Sequence, residues 1–122
     1  MEAFKGNCEN SKNEAISALR RIKTVRSKEP QPSLLVLQRK GDVLKKEIVN
    51  FGTAQWALLK KGSGKLSDEE RNRYVTDYDE LGNRMHDELD IALEIVHYWK
   101  ILFLLSFHQL LIKPLVLRNL LS

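Results

Sequence analysis

"KKGSGKLSDEE", residues 60–70, sets two glycines beside a lysine, and its reading separates a nucleotide-binding fold from a purely helical one. A phosphate-cradling loop of the Walker type needs Gly-x-x-x-x-Gly-Lys followed by Ser or Thr, after a buried strand. Here Leu59 stands where the first glycine is required, Leu66 follows Lys65 where a hydroxyl is required, and the residues upstream have helical periodicity. The stretch reads instead as a joint between two helices. Gly62 and Gly64 supply the freedom that ends one helix, and Lys60 and Lys61 lie at its negative end. Ser67-Asp-Glu-Glu70 then forms a capping box that starts the next, with three carboxylates on its positive first turn.

Upstream of the joint, Leu37, Leu44, Phe51 and Leu58 fall seven apart, with Leu34, Gly41, Ile48 and Gln55 three residues before each. That is an a/d heptad seam, and it predicts a helix from about Leu34 to Lys61. Gly41 and Gln55 weaken the seam, and Gly52 costs ~1 kcal/mol relative to alanine, so the helix needs packing to hold. Val49 and Trp56 broaden its apolar face. Downstream, Tyr74, Tyr78, Leu81, Met85, Leu89, Ala92, Val96, Trp99 and Phe103 keep a three-four spacing, with no proline before Pro114. A continuous helix from Asp68 to Lys113 would reach ~69 Å at ~1.5 Å per residue. The expectation is either a break near Trp99 or an arm that pairs with another chain.

Before the seam, Ser11-Lys-Asn-Glu14 matches a capping box and predicts the start of a first helix. Ile16, Leu19, Ile22 and Val25 give that helix a narrow apolar stripe, and Arg20, Arg21, Lys23, Arg26 and Lys28 fill much of the remainder. Pro30 and Pro32 end it, making Glu29 to Ser33 a short stiff hinge. Past Ile95 the sequence is apolar almost all round, as in "ILFLLSFHQLLIKPLVLRNLLS", residues 101–122. Its uninterrupted part, Ile101 to Ile112, falls short of the ~20 apolar residues of a membrane span, which predicts a buried or interfacial helix.

Composition bounds the rest. The chain has 122 residues, 43% of them apolar and 30% charged, which is one domain's worth of helix-rich sequence. Cys8 is the only cysteine, so no intrachain disulfide forms and a zinc site built on several thiolates is excluded. That, with the absence of an apolar secretory run in "MEAFKGNCENSKNEA", leads to the expectation of an intracellular, cytoplasmic location. The net charge of +4 is unevenly spread. Residues 1–40 carry nine Lys/Arg against four Asp/Glu, residues 41–94 eight against twelve, and residues 95–122 three against none. Such blocks favour association between unlike segments, or an anionic partner for the basic part.

The candidate chemical groups are sparse. His86, His97 and His108 are eleven apart, ~16.5 Å along a helix, so no two share an ion. Glu94-Ile-Val-His97 matches a single Glu-x-x-His element of a di-iron bundle, which needs two. Cys8 has no histidine near it in sequence, and Asp87, Glu88 and Asp90 read as a solvated helix face. No catalytic residue, cofactor, metal site or small-molecule substrate is expected. The cations Arg20, Arg21, Lys23, Arg26, Lys28, Arg39 and Lys40 are candidates for contact with nucleic-acid phosphates or lipid headgroups, without the interleaved aromatics that would stack on bases.

Residues 34–94 resemble the N-terminal helical region of Gag-type polyproteins of BEL/Pao retrotransposons. The resemblance lies in "LQRKGDVLKKEIVNF" (37–51), a basic heptad helix, and, after a short loop, "DEERNRYVTDYDELGNRMHDELD" (68–90), an acidic helix with spaced tyrosines. It implies helices used in particle assembly. The zinc knuckles that bind RNA in that family have no counterpart here, and the sequence after Ile95 does not continue the pattern, so RNA packaging is not implied.

The expected architecture is all-α. A basic N-terminal helix and hinge (1–33) precede a long antiparallel helical hairpin (34–99, turn at 62–66), followed by an apolar C-terminal helix (100–122). The expected function is a non-enzymatic assembly or scaffold module, a homo-oligomer or the partner of another helical protein, associating through Leu37, Leu44, Ile48, Phe51, Leu58, Tyr78, Leu81, Met85, Leu89 and Trp99. Two alternatives stand beside it: a peripheral protein of anionic membranes that uses the apolar tail and the basic helix, and a sequence-indifferent nucleic-acid binder.

Overall fold

The computed structural model describes residues 1–28 and 33–121, the side chains of 110–117 and 119–121 excepted. The described chain is all-α, with three helices, α1 (Glu2–Arg26), α2 (Leu34–Lys61) and α3 (Asp68–Leu121), and no strand among the described residues. Of the expected hinge, Glu29 to Pro32 lie outside the described residues. Ser33 caps α2, its hydroxyl accepting from the Val36 amide at 3.5 Å.

The first helix begins at Glu2 and runs through Ser11, so the capping box expected there is not used. The reason is tertiary. Met1, Phe4, Cys8, Ala15, Ala18, Ile22 and Val25 fall at alternating steps that make a second heptad stripe, and burying its first three members extends the helix upstream of the local start signal. Cys8, Ala15, Ala18, Leu19, Ile22 and Val25 are buried, with Met1, Phe4 and Ile16 packed against them. These small residues belong to the same core as the α2 seam, so α1 is part of that core and does not stand apart from it.

The seam of α2 is realised as expected: Leu37, Leu44 and Leu58 have no exposed surface and Phe51 almost none. Its apparent flaws have partners on α3. A Cβ on Gly52 would lie 3.1 Å from the Tyr78 hydroxyl, and one on Gly41 would lie 3.7 Å from Leu89 Cδ1, so bulky α3 side chains occupy the room the glycines leave. The buried Gln55 amide donates to the Tyr74 carbonyl at 3.2 Å. Phe51 and Tyr78 rings meet at 5.3 Å, tilted by 56°. Positions on α3 rise as their α2 neighbours fall, Gln55 meeting Tyr74, Gly52 meeting Tyr78 and Gly41 meeting Leu89. Along α1 and α3 the numbers rise together. Lys5 pairs with Glu70 at 2.8 Å, Lys12 with Asp77 at 2.9 Å, and Arg26 with Glu88.

The 60–70 joint does what its residues require. Glu70 N donates to Ser67 Oγ at 3.1 Å and Ser67 N to Glu70 Oε1 at 3.4 Å, the reciprocal bonds of a capping box. Only one of the two glycines is there for its backbone freedom: Gly64 has φ +82°, whereas Gly62 has φ −86°. Gly62 is needed for room, because a Cβ there would sit 2.7 Å from the Leu58 carbonyl oxygen and 2.8 Å from the Met1 methyl.

No break occurs at Trp99. With neither glycine nor proline between Gly82 and Pro114 to interrupt it, α3 continues as one helix of 54 residues, about 81 Å at ~1.5 Å per residue. Its buried stripe of Tyr74, Leu81, Met85, Leu89, Ala92 and Val96 stops at Val96, level with the start of α2, and the helix projects from there.

Candidate association surface

The residues expected to meet a partner are mostly covered by the chain itself. Leu37, Leu44, Phe51, Leu58, Leu81, Met85 and Leu89 are buried, and Ile48 and Tyr78 are half-buried against the same core. A heptad seam does not say whether its cover comes from the same chain or another, and here the three helices supply it. Trp99 alone of that set lies where the core has ended. It is half-buried, its ring edge-on to Tyr98 at 5.7 Å.

What is left uncovered is the projecting part of α3. Tyr98, Ile101, Phe103, Leu104, Leu105 and Phe107 are all exposed, Phe103 by 70% and Leu104 by 62%. They point in every direction around the helix, because consecutive positions 103, 104 and 105 lie ~100° apart. Nothing in this stretch resembles a polar face.

A second uncovered feature lies on the face of the α2–α3 pair away from α1. One groove of about 410 Å³ has Leu37, Gly41, Ala92 and Val96 in its lining, with Asp42, Lys45, His97 and Lys100 at its edges. Two further hollows continue it toward the joint. One, of about 200 Å³, is lined by Ile48, Phe51, Gly82 and His86 among others, and the next, of about 420 Å³, reaches Gly52 and Trp56. Val49 and Trp56 stand exposed beside it, Trp56 with the Lys60 ammonium 4.5 Å from its ring centre. The sequence alone does not reveal this groove: Gly41 and Ala92 lie on the periodic stripes and Gly52 and Gly82 beside them, and nothing in that pattern says that α2 and α3 leave a hollow between them.

The cations expected to contact phosphate gather at one end. Arg20, Arg21, Lys23, Lys28 and Arg39 are exposed and Lys40 half-exposed, at the end of the molecule from which α3 projects. Arg26 is not available to an outside anion. Its guanidinium is engaged by Glu88, Nη2 donating to Oε2 at 3.3 Å in addition to the Nε–Oε1 contact. Glu88 in turn is not a solvated acid: its side chain is 4% exposed and its partner is an arginine of α1. Asp87 and Asp90 are exposed. An acid one residue from an apolar position, with an arginine in another helix to meet it, leaves no local trace.

The remaining chemical groups are dispersed. His86, His97, His108 and Glu94 are exposed, and among the described residues no three His, Cys, Asp or Glu gather as a metal site would require. Burial pushes the Cys8 thiol above its ordinary pKa, with Glu9 adding to the effect, so the thiolate nucleophile is scarce at neutral pH. Among the described residues no helix is long and apolar enough to cross a membrane. Comparison with protein-family models, curated proteins and solved structures finds no match for this chain.

Proposed function

We propose that this chain is a non-enzymatic helical assembly module. In this reading α2 and α3 form an antiparallel hairpin, α1 lies alongside to complete a three-helix bundle, and the chain associates through α3 beyond Val96. The observation that carries it is the run of exposed large apolar side chains from Tyr98 to Phe107 on a helix that has already left its own core. Covering each such side chain in full is worth roughly 1.5–3 kcal/mol, and contiguous apolar surface of this kind marks a contact site. The resemblance of residues 34–94 to assembly helices of Gag-type polyproteins points the same way.

Light scattering on the whole chain and on a version ending at Lys100 tests this. The whole chain is expected to run as a multimer without detergent, and the shortened one as a helical monomer. A monomeric whole chain at tens of micromolar, or a shortened chain that still multimerises, would sink it.

A second reading has its own support: the cations Arg20, Arg21, Lys23, Lys28 and Arg39 sit at the end where the apolar helix emerges, the arrangement of a protein held at an anionic lipid surface. Co-flotation with anionic but not neutral vesicles, lost when Phe103 and Phe107 become serine, is its expected signature.

A further inference from the structure

Among the uncovered apolar features of the described molecule, the groove between α2 and α3 and the projecting part of α3 each have the dimensions of the other's complement. We infer that the groove of one chain receives the α3 extension of a second copy, laid antiparallel to the α3 it touches, in a two-fold dimer. This rests on the association reading above and names its partner and its geometry.

Length comes first. On α3 the groove runs from Tyr78 to Lys100, ~33 Å at ~1.5 Å per residue. The extension from His97 to Leu121 is ~36 Å by the same rise. Shape comes second. α1 occupies one face of the α2–α3 pair, and a helix in the groove on the other face would make a four-helix cross-section, the usual way such a pair is closed. Gly82 and Ala92 keep the groove floor low, and Phe103 and Phe107, one turn apart, supply bulk to fill it.

Charge sets the direction. Residues 95–122 hold three cations and no acid, whereas residues 68–94 hold ten acids and three cations. Antiparallel packing lays the cationic extension along the acidic part of the second copy's α3. In-register parallel packing would instead bring Lys113 and Arg118 as well as Lys100 against their own counterparts, which costs association, whereas the antiparallel register does so only at Lys100. A two-fold axis near Lys100 satisfies both grooves at once and leaves no open end to propagate. In that register Phe107 lies beside Leu93 of the second copy, and Phe103 beside its His97.

Cross-linking reads the direction and register. In a Cys8→Ala background, chains carrying Leu93→Cys are mixed with chains carrying Phe107→Cys and treated with a short bismaleimide. A cross-linked pair in the mixture, with little product from either chain alone, is the expected result. Strong self-linking of Phe107→Cys with no mixed product would overturn the antiparallel geometry while leaving association standing. A whole chain that is monomeric by light scattering would overturn association and this inference together. As a check independent of cysteine, Leu93→Arg places a charge in the groove at a position 45% exposed, where the fold tolerates it. It is expected to weaken association at least about tenfold with helix content unchanged, and unchanged association would rule the groove out.

Discussion

The third helix is two different objects joined end to end. From Asp68 to Val96 its apolar residues form one stripe, its other positions are rich in acid, and the stripe is buried. From Tyr98 to Phe107 large apolar residues occur on every side, and all of them but Trp99 and Leu102 are exposed. The contrast separates two kinds of information in one helix. A stripe states that a single neighbour is needed and on which side, and the chain meets that need itself. An all-round apolar surface states only that cover is needed, and here no described part of the same chain reaches it.

The sharpest way to break this comparison is to remove one large side chain from each part. Leu44→Ala, in the seam opposite the first part of α3, is expected to cost about 3 kcal/mol of unfolding free energy, since the residue has no exposed surface and the cavity cannot drain to solvent. Phe103→Ala is expected to leave unfolding at high dilution within ~0.5 kcal/mol of the parent. Urea titrations at low concentration compare them. Equal losses would mean that the extension belongs to the chain's own core.

The next effect concerns charge. Arg26→Met strands the carboxylate of Glu88, which is almost fully buried, and is expected to lower stability by about 2 kcal/mol, discounted for the partly solvated arginine. Lys5→Met, at an ion pair open to water on both sides, is expected to be hard to measure in the same titration. If the two substitutions cost the same, the burial of Glu88 carries no weight.

Smaller again is the response to pH. The Cys8 thiol is held above its ordinary 9.0 by burial, so in the folded chain it keeps a proton that the unfolded chain releases. Lys12 and Lys5 are held above 10.5 chiefly by their hydrogen bonds to Asp77 and Glu70. All three contributions are complete below those ordinary values and are lost as pH rises through the folded ones, so Tm should fall above about pH 9. Cys8→Ala should remove the earliest part of that fall. On the acid side Glu70 is held below 4.5 by Lys5 and the Ser67 amide, so its contribution is whole above 4.5 and disappears as pH drops through the lowered value. Thermal melts across pH check both signs.

The smallest expected change is a gain. A Cβ on Gly82 would meet nothing within 4 Å, and the residue lies inside α3, so Gly82→Ala should raise stability by about 0.5–1 kcal/mol at high dilution. No gain would mean that the helix is held there by packing that alanine disturbs.

Much of this was legible beforehand. The second helix, the joint and the start of the third follow from the 37–44–51–58 seam and the Ser67–Glu70 box because those signals are local and agree with one another. The early start of α1 was hidden for the opposite reason. Ser11-x-x-Glu14 gives a clear local instruction, and what overrides it is the packing of Met1, Phe4 and Cys8 upstream of it, too few and too widely spaced to stand out in a pattern. The residues expected at a partner interface pack mostly in the chain's own core, because periodicity says that cover is needed but carries no chain label. The groove and the Arg26–Glu88 pair depend on which helices become neighbours, which no single stretch encodes.

Gln55 has a consequence beyond its own hydrogen bond. Two heptad-patterned helices are nearly blind to sliding past one another by one repeat, since leucine would again meet leucine. Such a slip, ~10.5 Å at ~1.5 Å per residue, would carry the Tyr74 carbonyl out of reach and strand a buried amide. The one polar residue in the seam therefore acts as a detent, fixing where along its length α3 stops, and with it how much of that helix is left to protrude.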